Sequence, residues 1–303
     1  VSDPVGAVDI GTNSVRLLVH HPEQGTLQRE ARITRLGGGV DGTGRLDPAG
    51  IERTAAVLAE YREILERHGV GQVRAIATSA SRDAANRDDF FTRAEEALGV
   101  RPELLSGEEE GRFAFAGATI GLDPARGPFC VIDLGGGSTE FAIGTTELEG
   151  ILSVDMGSVR FTERYVAHDP PEPEELVACL SVAEAHLTDV VRELPAITDT
   201  ATWIGVAGTI TTVAAVEIGL EPYDSSRIHH FELTRAAAED VYRTLVTEPL
   251  EDRVHNPGLQ PERAEVIVGG STLLVGIMRY FGIDPLLVSE HDILDGVAAS
   301  LLR

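Results

Sequence analysis

GAVDIGTNSVRL at residues 6–17 and CVIDLGGGSTEFAI at residues 130–143 decide the reading of this sequence. Each is an apolar run that ends in an aspartate, turns through small residues containing Gly and Ser, and resumes as a second apolar run. Asp9 and Asp133 hold the same place in the two stretches, 124 positions apart (133 − 9), which is one domain length. A strand, an Asp-apolar-Gly-x-x-Ser turn and a second strand, repeated once, predict a duplicated β-hairpin and not the strand-to-helix opening of a dinucleotide-binding fold.

Outward from these hairpins, strand-like runs at residues 5–10, 15–20, 73–78, 129–134 and 141–143 alternate with helical patterns at 49–66, 88–98, 108–120, 172–194, 209–218, 235–246, 261–280 and 292–302. That alternation predicts an α/β protein. A chain of 303 residues, 43% hydrophobic, buries enough surface for two domains. The Gly/Pro-dense stretch GLDPARGP at 121–128 reads as a connector. The expected division is 1–122 and 123–291, with the closing helix, 292–303, packing back on the first domain.

The formal net charge is −24, which argues against nucleic acid and anionic membrane surfaces as partners. All 25 basic residues are arginine, so a P-loop lysine or a Schiff-base lysine is excluded. No apolar run approaches the ~20 residues of a membrane span, and the opening residues lack the basic start of a signal peptide, so a cytoplasmic protein is expected. Cys130 and Cys179 lie in apolar contexts and read as buried, reduced thiols. His229 and His230 are neighbours, expected to point to opposite sides of an extended segment, one packed and one exposed, and so to be unsuited to one metal. No serine or cysteine nucleophile has a convincing histidine partner, so covalent catalysis is not supported.

A tight turn of small residues directs successive backbone N–H groups outward as an anion site. Gly135, Gly136, Gly137 and Ser138 form one candidate, and Gly11, Thr12, Asn13 and Ser14 the other. Gly208 and Thr209, at a strand-to-helix junction, offer a helix start to a further phosphate. Asp9 and Asp133 close buried strands, where a carboxylate needs a cation. Magnesium, or manganese in its place, is the expected partner, with Glu140 reaching back to the same ion. Three adjacent carboxylates, Glu108 to Glu110, open a helix. Helix-start preference alone explains some of them, and the sequence leaves open which one is functional.

DIGTNS at 9–14, ATSASRDAAN at 77–86, SGEEEGR at 106–112, DLGGGSTE at 133–140, GVAGTIT at 205–211 and SEHDILDGV at 289–297, in that order, resemble the exopolyphosphatase and guanosine pentaphosphatase family. That family belongs to the actin, Hsp70 and sugar-kinase superfamily. The resemblance implies two ribonuclease-H-like domains with an active-site cleft between them, Glu110 as the base that activates water, and Arg82 at the cleft holding a terminal phosphate. It implies hydrolysis of the terminal phosphoanhydride of inorganic polyphosphate, or of another phosphorylated small molecule. Guanosine pentaphosphate hydrolysis and a non-catalytic polyphosphate- or alarmone-binding regulator are the alternatives. A kinase of the superfamily would need a base site, for which residues 269–276 are the nearest candidate. Longer family members continue into a further helical region, so a preference for short chains is expected of a sequence that ends at Arg303. A homodimer is compatible with the sequence, which does not fix the oligomeric state.

Overall fold

The computed structural model describes residues 3–302 and divides into two compact units. One runs to Gly117 and takes back the residues from Ile293 onward; the other spans Ala118–Asp292.

The first unit is built on a five-stranded sheet of β1 (Val5–Ile10), β2 (Ser14–His21), β3 (Gly25–Ile33), β4 (Gln72–Ala77) and β5 (Glu103–Leu104) in the order β3-β2-β1-β4-β5. The first three strands form an antiparallel meander, while β1, β4 and β5 run parallel. All six residues of β1 are buried, as a central strand covered on both faces requires. The helix Pro48–Arg67 starts as its sequence predicts, with Pro48 in the first turn and the Asp47 carboxylate accepting from the Gly50 amide. Its apolar face supplies Ile51, Ala55, Leu58, Tyr61 and Leu65 to the core. The closing helix, Ile293–Leu301, packs on β1, β2 and β4. It is tied there by ion pairing of Asp295 with Arg29 and by Arg74 Nη1 donating to Ser300 Oγ at 3.1 Å.

The second unit repeats the plan. Its strands β6 (Phe129–Leu134), β7 (Thr139–Gly144), β8 (Leu148–Val154), β9 (Thr202–Val206) and β11 (Leu286–Val288) follow the same order, extended at one edge by the antiparallel β10 (Glu232–Leu233). Three antiparallel strands followed by parallel ones, twice over, are two ribonuclease-H-like folds, and the hairpin duplication in the sequence is the first two strands of each. The edge strands β3 and β8 lack the apolar runs of their neighbours because they are only half covered. The helical pattern at 261–280 is in fact a 3₁₀ turn, Pro261–Arg263, and then a helix, Ile267–Phe281. The Ala264 carbonyl between them accepts from Arg253 Nη1 at 3.0 Å and so is drawn away from a helical ladder.

Candidate functional site

In the first unit the candidates gather at the carboxyl ends of the parallel strands β1, β4 and β5, where α/β sheets present ligand sites. The β1–β2 hairpin closes through the Gly11 amide on the Ser14 carbonyl at 3.0 Å. The turn's other carbonyls face inward: Thr12 accepts from the Gly37 amide at 2.8 Å, and Asn13 from the amides of Thr34 and Arg35 at 3.0 and 2.9 Å. Among the described residues the Thr12 and Asn13 amides make no backbone bond of their own. Asp9 lies directly across the hairpin from Arg16, whose Nε and Nη2 both donate to Asp9 Oδ2, at 3.0 and 2.6 Å. Arg16 thus places a cation of the protein beside Asp9. Arg16 was missed in the sequence, although the hairpin's symmetry about its turn pairs the two positions.

β5 leads into the helix Gly107–Ala118, and the three glutamates at its start separate by direction. Ser106 and Glu109 form a reciprocal cap: Ser106 Oγ accepts from the Glu109 amide at 3.2 Å, and the Glu109 carboxylate accepts from the Ser106 amide and hydroxyl at 2.8 and 3.0 Å. Those bonds hold the Glu109 carboxyl below the usual glutamate range. Glu108 is exposed. Glu110 turns inward and is 6% exposed, where Arg82, on the short helix Ser79–Asp83 after β4, donates Nη1 to its carboxylate and to the Leu105 carbonyl. Replacing Ser106 by Ala removes the cap and is expected to lower unfolding stability by about 1 kcal/mol. A denaturation midpoint equal to wild type would contradict the cap.

In the second unit the Gly135 amide closes the β6–β7 hairpin on the Ser138 carbonyl, again at 3.0 Å. Here too the carbonyls are bonded away: Gly135 to the Ser158 amide at 3.0 Å, Gly136 to the Val159 and Arg160 amides at 2.9 and 3.1 Å, and Gly137 to Arg160 Nε at 2.7 Å. The Gly136 and Gly137 amides make no backbone bond among the described residues. A Cβ at Gly157 would overlap the backbone of Gly136 and Gly137, and one at Gly37 would overlap Thr12. Both glycines buttress a turn, and both escaped the sequence reading because they sit one strand beyond the motif. Asp133 and Glu140 are direct cross-strand partners, 8% and 2% exposed, and Glu140 Oε1 accepts from Ser153 Oγ at 2.7 Å. Two like charges side by side are mutually destabilising unless a cation joins them. Among the described residues no three His, Cys, Asp or Glu side chains gather to hold an ion. An ion here would therefore complete its shell with water and ligand oxygens, which is the habit of magnesium.

Gly208 and Thr209 open the helix Gly208–Ile218 after β9, next to β6 in the sheet. A Cβ on Gly208 would overlap the Arg263 guanidinium. A guanidinium against the positive end of a helix is adverse by itself and favourable when an anion shares the place. Arg263 is a second arginine that the sequence reading passed over. Arg253, by contrast, is fully buried and spent on structure, donating to the carbonyls of Leu245, Glu248 and Ala264 and to Asp169.

One expectation is corrected. The rings of His229 and His230 do not point apart: they stack, with centroids 3.8 Å apart, and His291 lies 4.4 Å from His229. The positive φ of His230, 66°, breaks the extended geometry on which the alternation rests. Residues 269–276, the candidate base site, lie within the Ile267–Phe281 helix, where Gly269 and Gly270 admit Thr162 and Thr209 against its backbone. Cys130 and Cys179 are buried and unbonded to each other. Burial raises both thiols, Cys179 to about 11, which makes neither a nucleophile.

The model of the Ppx/GppA phosphatase family matches residues 18–303. The chain belongs to that family. Exopolyphosphatase 2 of Mycobacterium tuberculosis is 40% identical, over 98% of this chain and 98% of its own length. Among solved structures, an exopolyphosphatase-like protein matches with a TM-score of 0.95 at 33% identity, covering 98% of each chain. The Ppx/GppA enzyme of Aquifex aeolicus matches with a TM-score of 0.81 at 34% identity, covering 98% of this chain and 99% of its own. Among the described residues no helix of this family member is long and apolar enough to cross a membrane.

Proposed function

We propose that this Ppx/GppA family member is an exopolyphosphatase that releases orthophosphate from the end of inorganic polyphosphate with the help of a divalent ion. One observation carries the reading: two buried carboxylates, Asp133 and Glu140, stand side by side next to a glycine turn whose Gly136 and Gly137 amides make no backbone bond among the described residues. The anion-seeking turn and the paired carboxylates fit one ligand when a hard cation lies between them, and both side chains offer the oxygen donors that magnesium or manganese prefers. When bound, the ion neutralises phosphate oxygens and so favours displacement at phosphorus. The turns at 11–14 and 135–138, with Gly208 and Thr209, hold phosphate oxygens through main-chain donors. Glu110 accepts the proton of the water whose oxygen attacks the terminal phosphorus, as the bridging P–O bond breaks. Arg82 fixes the Glu110 carboxylate and offsets charge beside it. Two buried thiols without a disulfide suit a reducing compartment, and the cytoplasm is the inferred location.

Phosphate release from tripolyphosphate, long polyphosphate, guanosine pentaphosphate and ATP, with and without magnesium, tests the assignment. A polyphosphate is expected to give the highest kcat/KM, and only with the ion; a higher value on guanosine pentaphosphate would replace the reading by that family activity. Asp133→Asn is expected to raise the half-saturating magnesium concentration by roughly tenfold or more, and an unchanged titration would remove Asp133 from the ion.

A further inference from the structure

Residues 269–276, GGSTLLVG, take no part in the chemistry proposed above, yet two successive glycines inside the Ile267–Phe281 helix are unfavourable, glycine being the poorest helix former after proline. Neither has a left-handed φ that would require it, so the reason is space. A Cβ at Gly269 would meet Thr162 Oγ1, the Thr162 amide nitrogen at 2.8 Å and the Ser158 carbonyl oxygen at 2.9 Å, all on the helix Ser158–Tyr165. That helix grips the 135–138 turn from its first residues, through the Ser158, Val159 and Arg160 amides and Arg160 Nε. A Cβ at Gly270 would lie 3.1 Å from Ser158 Cβ on one side, and 2.7 and 2.8 Å from Thr209 Oγ1 and Cγ2 on the other. Thr209 is the second residue of the helix Gly208–Ile218. At Gly270, therefore, the helix that holds the glycine turn and the helix start at 208–209 close on the same point of backbone.

We infer that Gly270 is a positioning residue that sets the spacing between the 135–138 turn and the 208–209 helix start, so that the two together fit neighbouring phosphates of one phosphoanhydride. The inference rests on the phosphate-holding roles given to both elements in the proposed function, and goes beyond them by assigning the residue that joins the two holders into one. The holders follow β6 and β9, parallel neighbours with Asp133 beside Val206 at their ends, and adjacent strands lie about 4.8 Å apart. Strand pairing fixes where each loop starts. Beyond the strands the separation is set by Ser158 and Thr209, both buried, closing on Gly270 from either side. A methyl at 270 is a wedge between them. An ion with one phosphate needs one holder, whereas a ligand with two linked phosphates needs both at the right separation, and a displacement of about 1 Å at a positioned group is costly.

The test is calorimetric titration of the full chain, in magnesium, with orthophosphate and with imidodiphosphate, whose two phosphates are joined by a nitrogen bridge that resists hydrolysis. Wild type is expected to bind imidodiphosphate about tenfold or more tighter than orthophosphate, since two linked contacts act together. Gly270→Ala is expected to weaken imidodiphosphate by roughly tenfold or more and orthophosphate by no more than about twofold. Thr209→Ala deletes both crowding atoms, so adding Gly270→Ala to that background is expected to change imidodiphosphate affinity by less than about threefold, a coupling specific to the contact. Gly276→Ala, on the same helix, is the control: its Cβ would meet Leu180 Cδ2 at 3.3 Å and Ala183 Cβ at 3.9 Å, and both affinities are expected to match wild type. Equal loss of both ligands in Gly270→Ala, loss of neither, or the same loss with and without the Thr209 side chain would overturn the inference. A wild type that binds the two ligands alike would instead refute the paired phosphate holders of the proposed function. Should Gly270→Ala not fold, Gly270→Ala with Thr209→Ser, which deletes one of the two crowding atoms, takes its place and is judged by the same comparison.

Discussion

Glu110→Gln is expected to lower kcat for phosphate release by about 10²- to 10⁴-fold, the usual worth of a positioned base, with KM changed no more than a few-fold. The substitution keeps the size and shape of a side chain that is 6% exposed, and an amide oxygen still accepts from Arg82, so folding and substrate binding are preserved while the proton acceptor is lost. Glu108→Gln and Glu109→Gln provide the comparison. Glu108 is exposed and Glu109 is spent on the Ser106 cap, so both variants are expected to stay within a few-fold of wild type. Phosphate release by Glu110→Gln at near wild-type rate would defeat the assignment of the base, and a collapse in Glu109→Gln instead would move it.

Gly157→Ala is expected to cost about 1–3 kcal/mol of stability, the usual penalty of forcing a methyl into a filled space. It should also lower kcat/KM by roughly 10²-fold, the scale set by a displacement of about 1 Å at a positioned group. The backbone at 157 is extended, with φ −147° and ψ 155°, so the restriction is one of space and not of conformation. The added methyl meets backbone atoms of Gly136 and Gly137, which no side-chain rotation relieves. The turn must move, and its amides with it. Gly42→Ala, where a Cβ meets nothing within 4 Å, is the control and should leave stability and kinetics near wild type. Gly157→Ala with unchanged kinetics would mean that the 135–138 turn does not hold the substrate.

Legibility differed between parts of the site for physical reasons. The turns were readable because small residues at fixed spacing are the local requirement of a tight hairpin. Arg16 and Glu140 were equally within reach, since a hairpin's register follows from its turn, yet only Glu140 was singled out. Gly37, Gly157 and Arg263 were not readable, because each acts on a motif from a distant point in the chain and carries no local signature. The His229–His230 stack shows the converse, a local rule of strand alternation overridden by one residue with positive φ.

What the sequence by itself determined is the duplication. Two equal hairpins, each needing the same strands around it to bury its apolar run, leave little choice of architecture, and sheet order β3-β2-β1-β4-β5 appears in both units, with one added edge strand in the second. What only the tertiary structure decided is direction. Residues 108, 109 and 110 follow one another around a helix at about 100° each, so local sequence cannot say which of them faces inward. That was settled by the closing helix, whose Gly296 lets its backbone approach Phe113, and by Arg82, which comes from a strand end far away in sequence.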